Sequence, residues 1–556
     1  MKWKKLEHNG ILFPPDFETK KIKIKIKGES VDLDINQEEM VYQWAKKKDT
    51  PYALDKVFQK NFLTDFAKTF GKKYKKLELD DVDFKNAFNL VDKEKDAKEL
   101  LTKEEKKALA AKRKELREEM KVKFGTGKMD GNEVEIANYM AEPPGIFIGR
   151  GEHPLRGKWK PKVTSKNVTL NLGKEAKVPK GDWGKIVHDQ ESMWMASWTD
   201  YLTQKRKYVW LADTAGIKQD RDKAKYDKAK MLAKEIETIK NKIVKDMQNK
   251  DPKVRRISTV CWLIYRTAMR VGDEKDPDEA DTVGATTLRK EHVTLTSDAI
   301  KFDFLGKDSV RWQETVPAVG NDKQFHENLK ELTAKIKATD EIFGNLTSRD
   351  VNEYYKTVVK GLTAKVFRTF SASTVVSKYL NENGDVKKGS QMEKLYHAKL
   401  ANLEAAIMCN HKRTIPKTFE QSLQKKRDTL KTAEKATPWK KNEEVLKKAE
   451  STKTKTDAQE KKRKERITKI KGMIKKSKAK QKERVEKLRL QLDLTEKTRD
   501  YNLGTSLRNY IDPRIFKSWT DEVTADWEKL YTAALQKKFL WVKSENESWQ
   551  NVSKHY

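Results

Sequence analysis

The sequence predicts a multidomain α+β protein, and three observations lead there. A strict apolar/polar alternation lies near the N-terminus, helix-period stretches dominate the middle, and a long, basic, glycine-poor run follows them. At roughly 100–200 residues per domain, 556 residues allow three or four folded units. Charged residues make up 37% and hydrophobic ones 36%, a very polar balance. Yet 14 Trp, 16 Tyr and 19 Phe are too many aromatics for a disordered polycation, so packed domains with basic surfaces are expected.

Lys21 to Lys27 alternates Lys and Ile, which places three isoleucines on one face of a strand. Thr102 to Lys123 is rich in Lys, Glu, Leu and Ala and reads as an exposed helix. Met129 to Lys162 is punctuated by turn residues, and strands and loops continue through Trp210, with Trp194, Trp198 and Trp210 available to fill a core. Residues 221–271 read as helical, with Val260, Leu263, Ile264, Ala268 and Met269 on a buried face. Thr282 to Val316 is β-like, and helical character returns from Asn321 to His411. Gln421 to Asp500 holds 28 Lys+Arg against 13 Asp+Glu. Apolar positions at Ile467, Ile470, Ile474, Val485, Leu488 and Leu492 form a narrow helical seam there, and Glu450 to Asp457 breaks it into a hairpin. A compact piece, 501–556, ends the chain.

The 120 Lys+Arg exceed the 85 Asp+Glu to give +35, so a polyanion is the expected partner. Cys261 and Cys409 are the only cysteines, which excludes a disulfide scaffold and a Cys-rich zinc site. No run of about 18 apolar residues occurs, and Met1 to His8 has no signal-peptide stretch. The reading is an intracellular, soluble, basic protein.

Tyr510 lies among polar residues just before Asp512-Pro513. A phenol with a pKa of about 10 is a poor nucleophile unless cations stabilise the phenolate. Arg270, Lys307 and Arg368 sit in locally apolar settings, where a charge needs an anion. His411 follows Cys409-Asn410. Singly, each reads more simply as structural: a capping tyrosine, salt-bridged cations, a helix-end histidine. Together they match one chemistry. Two guanidiniums clamp the oxygens of a phosphodiester, a histidine adds a hydrogen bond, a lysine protonates the leaving oxygen and a tyrosine attacks phosphorus.

Longer motifs accompany them. These are Glu142-Pro143-Pro144-Gly145-Ile146-Phe147, Gly149-Arg150-Gly151-Glu152-His153-Pro154 and Ala280-Asp281-Thr282-Val283-Gly284, followed by Phe302 to Ser309, Leu362 to Thr369 and Cys409-Asn410-His411. In this order they make nearly the whole chain resemble the eukaryotic type IB DNA topoisomerases. The resemblance implies an α+β clamp: a mixed N-terminal core lobe (1–219), a mainly helical catalytic lobe of the tyrosine recombinase/type IB type (220–416), a basic helical-hairpin linker (417–500) and a C-terminal domain (501–556). It implies Tyr510 as nucleophile, Arg270, Arg368 and His411 as transition-state stabilisers, and Lys307 as general acid. Arg150, Asp308 and Asn509 match positions that lie beside the cleaved DNA.

Two departures touch the motifs but not those five positions: Leu507 follows Ser506 where the family has Lys, and Phe370-Ser371 replaces Tyr-Asn. The family's long basic N-terminal tail is not part of this sequence, so nuclear import is not read from one.

The implied activity is relaxation of supercoiled duplex DNA by transient single-strand cleavage through a 3′-phosphotyrosine, by a monomer, in the nucleus or another DNA-containing compartment. No Gly-x-x-x-x-Gly-Lys-Ser/Thr loop suggests a nucleotide and no ligand cluster suggests a metal. No cofactor is therefore expected, with Mg²⁺ at most a stimulant that shields DNA. The alternatives are a site-specific tyrosine recombinase and a non-catalytic duplex-binding protein.

Overall fold

The computed structural model describes residues 2–272, 283–306 and 310–556, in two compact units that comprise chiefly 2–222 and chiefly 223–556. The chain is a multidomain α+β protein.

The first unit runs β1 (Leu6–His8), β2 (Ile24–Ile26), β3 (Glu29–Val31), α1 (Ile35–Ala45), α2 (Lys56–Lys68), β4 (Val82–Asp83), α3 (Lys85–Leu100), α4 (Lys103–Phe124), β5 (Thr126–Met129), β6 (Asn132–Ala137), β7 (Gly145–Ile146), β8 (Trp159–Lys160), β9 (Thr169–Asn171), β10 (Lys185–Val187), β11 (Trp194–Thr199) and β12 (Arg206–Leu211). Helix starts follow capping chemistry. Asp34 and Gln37 form a capping box on α1, Asp55 accepts from the Val57 and Phe58 amides, and Thr102 and Glu105 cap α4 reciprocally.

The Lys/Ile alternation becomes β2, central in the sheet β3-β2-β4, with Ile22, Ile24 and Ile26 buried. They join a core in which Trp44 stacks on Phe62 at 4.6 Å. A seven-stranded sheet, β1-β5-β6-β12-β11-β9-β10, carries the second core. Trp198 fills that core, but Trp210 does not and is 41% exposed. Along β12 Val209 and Leu211 point inward, so Tyr208 and Trp210 emerge on the opposite face beside Trp194.

The second unit holds most of α5 (Gly216–Asp246), then α6 (Pro252–Thr267), β13 (Val293–Leu295), β14 (Ala299–Gly306), β15 (Val310–Pro317), α7 (Asp322–Thr333), α8 (Ser348–Val358), α9 (Ala364–Asn383), α10 (Gln391–Met408), α11 (Phe419–Lys435), α12 (Lys440–Ser451), α13 (Asp457–Lys497), α14 (Leu503–Asn509), α15 (Pro513–Glu522), α16 (Ala533–Lys538) and α17 (Trp549–Ser553). The long basic run is helical and breaks between Ser451 and Asp457. The 41-residue α13 packs along both α11 and α12. Ile470 and Ile474 bury against Ala449 with Trp439 and Leu446 beside them. Arg489–Glu434 and Lys478–Glu443 bridge the outer edges of the hairpin.

One core ties the C-terminal helices to α9 and α10. Ala372, Val376 and Leu380 of α9 and Ala398, Ala401 and Ala405 of α10 pack with Ile511, Ile515, Phe516 and Trp519. Small alanines on α10 let the helices approach closely. This packing sets the short helix α14 and Tyr510 against Ser373 in the middle of α9 and Asn402 in the C-terminal half of α10. Among the described residues no helix is long and apolar enough to cross a membrane.

Candidate active site

His411 owes its place to a helix ending. Cys409 caps α10, and Asn410 takes the left-handed conformation at φ +51. The Asn410 amide donates to the Ile407 carbonyl (2.9 Å) and the His411 amide to Ala406 (2.8 Å), a Schellman ending. The chain then pairs with 500–502: the Asn502 amide donates to the His411 carbonyl (2.7 Å) and the Arg413 amide to Asp500 (2.8 Å). Asn502 next caps α14, accepting from the Gly504 amide, and α14 runs directly to Tyr510. Asp512 caps α15 with Pro513 in its first turn.

Arg368 lies in the second turn of α9, flanked by buried Val366, Phe367 and Ala372, and is itself only 7% exposed. Its Nη2 donates to the Cys409 carbonyl at the C-terminal end of α10, where the helix dipole favours a cation. Arg270 follows the end of α6, where Ala268 turns left-handed at φ +50. Its carbonyl accepts from the Ala285 amide (2.8 Å), and that of Val271 accepts from Thr286 (2.7 Å). The two segments approach so closely that a Cβ on Gly284 would stand 2.4 Å from the Gly272 Cα.

These elements bring Arg270, Arg368, His411 and Tyr510 together. The Arg368 guanidinium lies 5.0 Å from the Tyr510 ring centre, the His411 ring stacks on the phenol at 5.4 Å, and Arg270 interacts electrostatically with the phenol. Burial, with the nearby Arg368 and Arg270, pulls the His411 pKa down to about 3, so the imidazole is neutral at physiological pH. Burial and the neighbouring Arg368 likewise lower Arg270, opposed by the phenol; a guanidinium nonetheless stays charged. Burial pushes the Cys409 thiol up, against the pull of Arg368.

Among the described residues, both ring nitrogens of His411 and Nε of Arg368 are buried without a hydrogen-bond partner. Two like charges and unpartnered donors around one phenol form a site built for an anion with several oxygen acceptors. Among the described residues no group of three His, Cys, Asp or Glu is placed to hold a metal ion.

Lys307 and Asp308 lie outside the described residues. Asn509 ends α14, exposed, and donates to the Thr505 carbonyl. Arg150 is exposed in the first unit, next to Gly149, whose φ of +72 places it where a Cβ would meet His153 at 2.5 Å.

Ser373 and Asn402, absent from the residues that the motifs single out, hold α14 and the Tyr510 backbone from α9 and α10. Polar residues inside apolar helix faces were the available signal. The Asn410 turn was readable too, since Asn directly after a helix marks such an ending.

An electropositive cluster of side chains around a tyrosine, built on helices and helix ends, is suited to hold an anion such as a phosphate. Comparison with known proteins shows the family. Residues 1–211 match the family described as eukaryotic DNA topoisomerase I, DNA binding fragment, residues 214–445 match its catalytic core, and residues 482–551 match the C-terminal topoisomerase domain. DNA topoisomerase 1 beta of Arabidopsis thaliana is 36% identical over 97% of this chain and 58% of its own length. DNA topoisomerase 1 of Homo sapiens is 33% identical over 97% and 71%, and that of Candidozyma auris 33% over 99% and 83%. The chain belongs to the eukaryotic DNA topoisomerase I family. It spans a little over half, 58%, of the length of the two Arabidopsis relatives.

Proposed function

We propose that this protein relaxes supercoiled duplex DNA without ATP, by cutting one strand, letting it turn and resealing it. The observation that carries the reading is the Tyr510 phenol enclosed by two guanidiniums and a neutral imidazole, with donors left for a phosphate. Arg270, Arg368 and His411 hold the non-bridging oxygens and gain strength as charge builds on them in the pentavalent transition state. The Tyr510 oxygen attacks phosphorus, its proton passing to water, and the bond to the 5′ oxygen breaks. Lys307 supplies the proton to that oxygen. A 3′-phosphotyrosine and a free 5′-hydroxyl result. One phosphoester replaces another, so resealing is the reverse reaction and needs no fuel. No cofactor is required, and Mg²⁺ at most shields DNA charge.

The remaining assignments extend the same reading. The N-terminal lobe (1–219) and catalytic lobe (220–416) close as a clamp on duplex DNA, the linker (417–500) faces the downstream duplex, and 501–556 delivers the nucleophile. Arg150, Asp308 and Asn509 line the cleaved site. The protein acts as a monomer in the nucleus or another DNA-containing compartment. Contacts of +35 of net charge with phosphates make binding steeply salt-dependent and nearly indifferent to sequence.

A supercoiled plasmid tests this. Relaxation without ATP, lost in Tyr510→Phe, is the expected result. Strand exchange confined to specific sites means a recombinase, and binding without relaxation means a non-catalytic DNA-binding protein; either overturns the proposal.

A further inference from the structure

Ser373 is fully buried on α9, five residues after Arg368, and its hydroxyl meets the chain on both sides of Ile511. The Asp512 amide donates to Oγ at 3.0 Å, and Oγ donates toward the Tyr510 carbonyl at 3.4 Å. The Asp512 side that it grips is immobilised further. Arg514 binds both Asp512 oxygens (2.7–3.0 Å) and reaches Asp227 on α5 at 2.7 Å, while the Tyr556 hydroxyl donates to Asp512 Oδ2 at 2.8 Å and also lies against Ser373. Asp512 and Ser373 are both at 0% exposure, so water does not substitute for any of these bonds without a cost.

We infer that Ser373 is a positioning residue for Tyr510: one helix carries both the guanidinium over the phenol and the hydroxyl that fixes the phenol's backbone, so α9 sets the distance between nucleophile and electrostatic clamp. The inference rests on the proposed role of Tyr510. Helix α14 ends at Asn509, and the Tyr510 amide donates to the Ser506 carbonyl (2.9 Å) behind it. Ahead of it, Ser373 is the side chain that ties the Tyr510–Asp512 turn to α9. Without that tie the phenol keeps its ring contacts but loses its register against the arginine, and misplacement of a reacting atom is expensive in rate.

The test uses the full chain and a duplex oligonucleotide whose short 5′-hydroxyl strand dissociates after cleavage, so that covalent adduct accumulates in one turnover. Ser373→Ala is expected to form adduct about tenfold more slowly, with unchanged affinity for the uncut duplex. Ser373→Thr, which restores the hydroxyl, is expected to recover to within about threefold of wild type. Thermal melting of each variant accompanies the rates. Adduct formation by Ser373→Ala within twofold of wild type overturns the inference alone, as does equal slowing in Ser373→Thr without loss of folding. Absence of adduct from the wild-type chain overturns the reading of Tyr510 and this inference with it.

Discussion

The Arg368 guanidinium lies 5.0 Å from the centre of the Tyr510 ring while its Nη2 is anchored on the Cys409 carbonyl. The anchor fixes one nitrogen of the planar fork, and Nε, unpartnered among the described residues, is left for a ligand. A lysine has no such planar fork of donors. Arg368→Lys and Arg368→Ala are therefore both expected to slow single-turnover cleavage by about a hundredfold or more, with weak effects on duplex affinity. A lysine variant with wild-type cleavage would show that charge alone suffices.

His411 gives a pH signature. In the folded, DNA-free protein burial and the two arginines hold its pKa at about 3, against about 6.5 unfolded. A lowered folded value means the unfolded state binds more protons, so this contribution to stability is complete above about pH 6.5 and shrinks as pH falls toward 3. Between pH 7.5 and 5 the loss amounts to about 2 kcal/mol. Denaturant unfolding at the two pH values should show His411→Gln losing less stability than wild type on acidification. An identical loss in both would place the imidazole's charge change elsewhere.

Asn410 is the hinge on which His411 turns. Its φ of +51 suits Asn and Gly and strains a residue with an ordinary Cβ. Asn410→Ala should lower stability by about 1 kcal/mol and slow cleavage, whereas Asn410→Gly should stay nearer wild type in both. Thermal melting and the adduct assay check this together. Equal damage from both would mean the Asn side chain, rather than its backbone conformation, is what matters there.

Periodicity made several elements legible. The Lys21–Lys27 alternation gave a strand with its isoleucines inside, and Ile470 and Ile474 gave the seam of the hairpin. Trp210 was misjudged because hydrophobicity does not say which face of a strand is covered; Val209 and Leu211 take the inner face. The site residues were legible as a set of chemistries, since buried cations and a phenol before a proline turn call for a shared anion. What joins them was not. Gly272 touching Gly284, Ser373 reaching Asp512 and the Arg514 network are contacts between distant segments, with no local pattern to announce them.

The Gly272–Gly284 contact supplies the last prediction. Arg270 leaves α6 through a left-handed residue, so no helix holds it; its backbone is held by Ala285, and Val271 by Thr286. That pairing exists only because the two glycines let the segments close, the ideal Gly284 Cβ falling 2.4 Å from the Gly272 Cα and 2.6 Å from its nitrogen. The obstacle is backbone rather than a flexible side chain, so Gly284→Ala must push the segments apart. Overpacking of this kind costs about 1–3 kcal/mol, and here it also moves the Arg270 guanidinium off the phenol. Gly284→Ala should melt earlier and cleave more slowly, while His411 and Arg368, held by α9 and α10, keep their places. A control at Gly145, where an added Cβ meets nothing within 4 Å, should leave stability nearly unchanged. Wild-type cleavage by Gly284→Ala would mean that the position of Arg270 does not depend on this contact.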